Sequence, residues 1–132
     1  MADHPNVARC RRAYELFSAG DANSVRELLA EDITWHAPGG GKFAGPKHGR
    51  DEVFEFLEQV GWEQGQTTFD IALREVVADD EHMVAFVHYH HERGDAVFDQ
   101  DGVEFFSLAP DGKITAFWAL LQDSAAFDEF FG

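Results

Sequence analysis

With 132 residues and 45% hydrophobic content the chain is one ordinary domain, of a size at which folding removes roughly 68% of the unfolded surface from water without disulfide or metal staples. Its 25 acidic against 10 basic residues, a formal charge of -15, would repel phosphate backbones and anionic lipid, so neither nucleic acid nor membrane is an expected partner. Cys10 is the single cysteine, no apolar run approaches the roughly 20 residues of a membrane span, and Met1-Ala2-Asp3-His4-Pro5 has no apolar signal core; together these predict a cytoplasmic protein.

In chain order, Val7, Cys10, Tyr14 and Phe17 recur at helical spacing and Gly20 follows as a stop, which predicts a first helix over residues 6–19. Asp21 or Ser24 caps a second, where Ser24-Val25-Arg26-Glu27 matches a capping box. Ile33 to Ala37 alternates as a strand that stops at Pro38, and the glycines and prolines of residues 38–49 read as a loop able to act as a lid. Asp51 and Glu52 suit a helix N-terminus, and Val53, Phe56, Leu57 and Val60 give that third helix its apolar face. Four long strands follow, over residues 69–78, 83–91, 97–109 and 113–122, and then a short helix carrying Phe127, Phe130 and Phe131. Helices followed by hairpin-connected strands predict an α+β fold, with a curved antiparallel sheet wrapped around the helices as a cone in a single domain, 1–132.

The last two strands meet at Pro110-Asp111-Gly112, a turn in which proline presets φ and glycine takes the positive φ. Period-two alternation places Glu104, Phe106 and Leu108 on one face of the preceding strand and Val103, Phe105 and Ser107 on the other. A carboxylate among phenylalanines is therefore the candidate acid. Thirteen Phe and three Trp are enough rings to line an apolar pocket as well as a core.

His4-Pro5-Asn6-Val7, Ala19-Gly20-Asp21, the run from Ala30 to Gly39, His48-Gly49-Arg50-Asp51, and Asp111-Gly112-Lys113-Ile114 with Phe117-Trp118 together resemble the SnoaL-like polyketide cyclases. These belong to the nuclear-transport-factor-like superfamily, which also holds ketosteroid isomerases. The resemblance covers essentially the whole chain. It implies the cone, a cystatin-like fold, and it implies cofactor-independent acid and base groups inside that cone. Carried over position by position, the isomerase-type base falls on Ala37, the cyclase-type aspartate on Ala119, and the fourth-strand acid on Glu104. Tyr14 stands one residue from the place where isomerase-like proteins draw a tyrosine donor, about 100° around the helix. Because the superfamily hosts enzymes and plain binding modules alike, resemblance speaks to fold more than to activity.

Other constellations have narrower readings. His88 and His90 share a strand face at a spacing that can ligate zinc if a third ligand converges, but no third ligand is evident and no metal is expected. His91, of the opposite parity, faces the cavity and could act as a base, as could His36 at the end of the first strand if it reaches the pocket mouth. Gly39-Gly40-Gly41-Lys42 is followed by Phe43 where a phosphate loop needs Ser or Thr, so no nucleotide is expected. The expected ligand is a small apolar molecule with a carbonyl or hydroxyl, held in a pocket lined by Tyr14, Trp35, Phe106, Trp118 and either Phe86 or Tyr89. The expected assembly is a homodimer through the outer sheet face. Two readings of function stay open. One is an isomerase- or cyclase-type enzyme using Glu104 with His91 or His36; the other is a noncatalytic binding module that lacks the family's base.

Overall fold

Chain direction is set early, where His4 Nδ1 accepts from the Asn6 N–H and Pro5 occupies the first turn of helix α1 (Pro5–Ser18). The computed structural model describes residues 3–63, 66, 67 and 69–131; the side chain of Phe69, expected to open the first long strand, lies outside what is described. Gly20, at φ 67°, ends α1, and Asp21 caps α2 (Ala22–Leu28) by accepting from Ser24 N at 3.1 Å and Ser24 Oγ at 2.8 Å. The Ser24–Glu27 capping box is thus displaced, because Ser24 is already the third helical residue and Asp21 offers the stronger acceptor.

Strand β1 (Leu29–Ala37) follows, and the segment expected to be wholly loop contains a second strand, β2 (Gly45–His48), antiparallel to β1 with Thr34 opposite His48. Its composition hid it: Pro46 is acceptable in a strand only at a sheet edge, which is where β2 lies. Helix α3 (Gly49–Gln59) buries Val53, Phe56 and Leu57. A short ribbon, β3 (Trp62–Glu63) with β4 (Gln66–Thr67), leads to the four long strands β5 (Phe69–Ala78), β6 (His82–Arg93), β7 (Ala96–Leu108) and β8 (Ile114–Leu121), and α4 (Ser124–Phe131) ends the chain.

The six-stranded sheet runs β2-β1-β8-β7-β6-β5 and is curved and unclosed. It is antiparallel except at β1–β8, which pair in parallel, Trp35 beside Phe117, a departure from the all-antiparallel expectation. The parallel pairing is possible because the whole helix and hairpin succession between β1 and β8 serves as the crossover. One face carries the helices: α1 lies against β5 and β6, α3 against β1 and β2, and α4 against β7. Along β7 every second residue from Phe98 to Leu108 is buried, so the period-two reading holds over that strand. In β5 a bulge between Leu73 and Glu75 resets the alternation and turns Val76 inward.

Candidate functional site

Glu104 lies mid-strand in β7 with Ala85 opposite it on β6 and Ala119 opposite it on β8. Those two small neighbours leave room on the inner face, and the carboxyl group stands in a space walled by rings. It is 6% exposed. Two phenols close on it. Tyr14, from α1, donates to Glu104 Oε1, and Tyr89, from β6, donates to Glu104 Oε2 at 2.8 Å. Burial pushes the Glu104 carboxyl above the ordinary carboxylate range, against the two phenol bonds, which favour the ionised form. Burial, reinforced by the facing carboxylate, raises both Tyr14 and Tyr89, so both phenols remain donors.

The aim of Tyr89 depends on an absent side chain. Gly102 sits two residues before Glu104 in β7, and a Cβ there would come within 2.5 Å of Tyr89 Cε2. The ring therefore passes over Gly102 to reach the carboxyl group, a use of glycine in a strand that permits close approach. Tyr14 is steadied by Phe106, edge to face at 6.1 Å between centroids. One turn before it, Cys10 is fully buried, and burial together with Glu104 pushes its thiol up to about 12, so it is no nucleophile at neutral pH.

The cavity above this triad contains about 910 Å³ of atom-free space, its open mouth included. Tyr14 and Phe17 of α1, Leu29 and Trp35 at β1, Phe56 and Leu57 of α3, Trp62 of β3, Phe98, Phe106 and Phe117 of the six-stranded sheet, and Phe127 of α4 are among its walls. Trp35 stacks on Phe117 at 3.8 Å, and Phe17 on Trp62 at 4.8 Å, while Trp62 Nε1 donates to the Phe17 carbonyl at 2.7 Å. Among the described residues the lining around Glu104 and its two phenols is mostly apolar, so a ligand oxygen placed beside them meets a cluster of hydrogen-bonding groups. When Glu104 carries a proton, its own O–H joins the two phenols and can be given to such an oxygen.

Of the residues singled out from sequence, the fold brings Glu104, Tyr14, Tyr89, Trp35 and Phe106 to this cavity. Tyr14, buried on the face of α1 that meets the sheet, reaches it with its hydroxyl on Glu104. His91 is buried on the inner side but packs against Phe130 and Phe131, at 5.1 and 5.6 Å, rather than at the cavity wall. His36 is on the outer face, stacked on Trp118 at 4.6 Å. Trp118 and Phe86 are on that face too, 37% and 43% exposed, because Phe117 and Val87 take the inward positions of their strands. The pocket wall expected from Trp118 is therefore supplied by Phe117, and of the Phe86-or-Tyr89 pair it is Tyr89 that faces the cavity. A bulge decides this: next to the turn Leu108 pairs with Ile114, and the register shift between Ser107 and Leu108 then sets Phe106 opposite Phe117, and opposed residues share a face.

His88 and His90 stand outside, bonded to acidic neighbours. His88 Nδ1 is 2.7 Å from Asp101 and its Nε2 3.0 Å from Asp99, and His90 Nδ1 is 2.6 Å from Asp99. Among the described residues no group of three or more His, Cys, Asp or Glu is arranged to hold a metal ion. No described helix is long and apolar enough to cross a membrane.

A family model described as SnoaL-like domain matches residues 10–117. No curated protein matches the chain. Among solved structures, Bal32a from a soil-derived mobile gene cassette is 30% identical over 96% of both chains, with a TM-score of 0.86. TerC, solved with polyporic acid, is 24% identical over 97% of this chain and 98% of its own, at 0.79. RV0760c from Mycobacterium tuberculosis, solved with estradiol-17beta-hemisuccinate, is 16% identical over 83% and 88%, at 0.70. Other similar structures are described as having a cystatin-like fold and as NTF2-like.

Proposed function

The chain belongs to the SnoaL-like domain family, and from that premise we propose that it binds a small, mostly apolar molecule in the cone and presents Glu104 to a carbonyl or hydroxyl oxygen of that molecule. The observation that carries this reading is the buried carboxyl group held by two phenols in a cavity whose described lining is mostly apolar. Burial favours the protonated form of this carboxyl group, which can then donate to a carbonyl oxygen as negative charge grows there, as enolisation or ring closure requires. The chemistry that fits is cofactor-independent proton transfer of isomerase or cyclase type. That neighbours of the same fold hold polyporic acid and a steroid ester supports a ligand of this size and character.

A second reading, a noncatalytic binding module, draws on two particular positions. Ala37 and Ala119 stand where family enzymes carry a base, and no histidine is among the described residues lining the cavity. Native mass spectrometry of the purified protein separates binding from no binding: a co-purifying apolar ligand is expected in wild type and is diminished in Glu104→Gln. Incubating that ligand with the protein in deuterated water then decides between the readings. Deuterium at a carbon next to the carbonyl, dependent on Glu104, marks an enzyme; its absence with tight binding marks a module. An empty wild-type protein that takes up no apolar ligand would overturn both.

Two further elements belong to this proposal. The outer sheet face carries Phe86, Trp118 and Leu120, the last 65% exposed, and a second copy of the chain covering it would remove that apolar area from water. A cytoplasmic setting agrees with a lone, buried, unreactive thiol.

A further inference from the structure

The glycine run that resembles a phosphate loop does hold an anionic group, and the group belongs to the chain itself. Asp128 of α4 reaches across with both carboxylate oxygens, accepting from Gly40 N at 2.8 Å and from Gly41 N at 2.9 Å. The glycines are required by this carboxylate. A Cβ at Gly39, where φ is +85°, would be 2.2 Å from Asp128 Oδ1, and one at Gly41 would be 2.9 Å from the same atom. Each partner of the clasp is joined directly to the cavity wall. Pro38 precedes the glycines, Phe127 precedes Asp128, and both line the cavity. The far end of the loop is seated on that wall as well, with Phe43 edge to face on Phe56 at 6.2 Å.

We propose that Asp128 is the latch of a gate over the cavity: its carboxylate fastens the 39–41 loop to α4 across the rim, and ligand passes when the clasp opens. This rests on the reading of the cavity as a ligand site. The loop is suited to moving because Gly39 to Lys42 are exposed and Ala44 N to Gly41 O, 3.1 Å, is the internal backbone bond holding its turn. Opening therefore costs the two charge-assisted bonds and little else, while Phe43 at one end and Pro38 at the other act as fixed posts.

Asp128→Asn keeps the shape but replaces one acceptor oxygen with an amide that cannot accept from a glycine N–H. Amide solvent exchange measured by NMR on the protein without ligand is expected to quicken about ten-fold at Gly40 and Gly41, with the turn at Asp111-Gly112 unchanged. Gly41→Ala crowds the same carboxylate from the loop side and should give a similar change, and the double variant should add little to either. Unchanged exchange in Asp128→Asn, or additive effects in the double variant, overturns the latch. The second arm follows stopped-flow binding of 1-anilinonaphthalene-8-sulfonate. A gate predicts that Asp128→Asn raises association and dissociation rates together, several-fold each, at nearly constant affinity. A purely structural role for Asp128 predicts weaker affinity and a lower Tm with no faster association, which also overturns the proposal. If wild type binds none of this dye or any other apolar probe, the cavity reading fails and the gate fails with it. The exchange data then still report whether the clasp exists.

Discussion

Replacing Glu104 with glutamine leaves shape and volume in place and removes only the ability to ionise. The amide oxygen can still accept from Tyr14, and the amide N–H can donate to the Tyr89 oxygen, whose own O–H then turns away from this site. Because burial raises the folded-state pKa of Glu104 above its unfolded value of about 4.3, the folded wild type holds a proton that the unfolded chain has released within that window. Wild-type stability from this group therefore falls as pH climbs from the unfolded pKa to the folded one, and the glutamine variant escapes the loss. One proton sets the slope. The stability difference between variant and wild type should grow by up to about 1.4 kcal/mol per pH unit inside the window and level off above the folded pKa. Every other carboxylate is common to both proteins, so its own pH dependence cancels in the difference. Urea unfolding in steps from pH 4 to 9, at fixed high salt, measures this directly, and the pH of levelling reads the folded pKa. A difference that stays flat across the range, or carbon-detected NMR placing the Glu104 midpoint at or below 4.3, would refute the pocket-acid argument.

Gly102→Ala should cost about 1–3 kcal/mol by overpacking and turn Tyr89 away from Glu104; in a Tyr89→Ala background, unfolding measurements should find most of that cost gone. The imidazoles of His88 and His90 are raised, chiefly by their bonds to Asp101 and Asp99. Their contribution to stability is full below the ordinary histidine pKa and is lost as pH rises through the raised value. NMR titration should find both midpoints above 6.5, and Asp99→Asn should lower them. Leu120→Arg places a charge on the outer apolar face, so light scattering at micromolar concentration should show a wild-type dimer and a mostly monomeric variant. A wild-type monomer between pH 6 and 8 would remove the proposed assembly.

What the sequence by itself determined is whatever repeats along a single segment. Alternation in β7 placed Glu104 beside Phe106 and Leu108, and helical spacing in α1 and α3 marked Cys10, Tyr14, Val53, Phe56 and Leu57 as buried. These patterns follow from backbone geometry, which a few neighbouring residues are enough to express. What only the tertiary structure decided is which segments meet and at what rotation. Helical spacing marked Tyr14 as buried, but only the seating of α1 against β5 and β6 puts its hydroxyl on Glu104. Trp118 and Phe86 are aromatic strand residues like Phe117 and Tyr89, and their side of the sheet follows from cross-strand register rather than composition. The same holds for β2, whose Gly45 and Pro46 form a strand only because β1 offers an edge, and for Gly102, whose missing side chain matters only because Tyr89 crosses it. The glycines at 39–41 remain a nondescript loop until α4, nearly ninety positions later, brings Asp128 onto their amides. Contacts between residues that far apart depend on how the sheet curves and the helices seat, a balance of packing over the whole chain that no local period encodes.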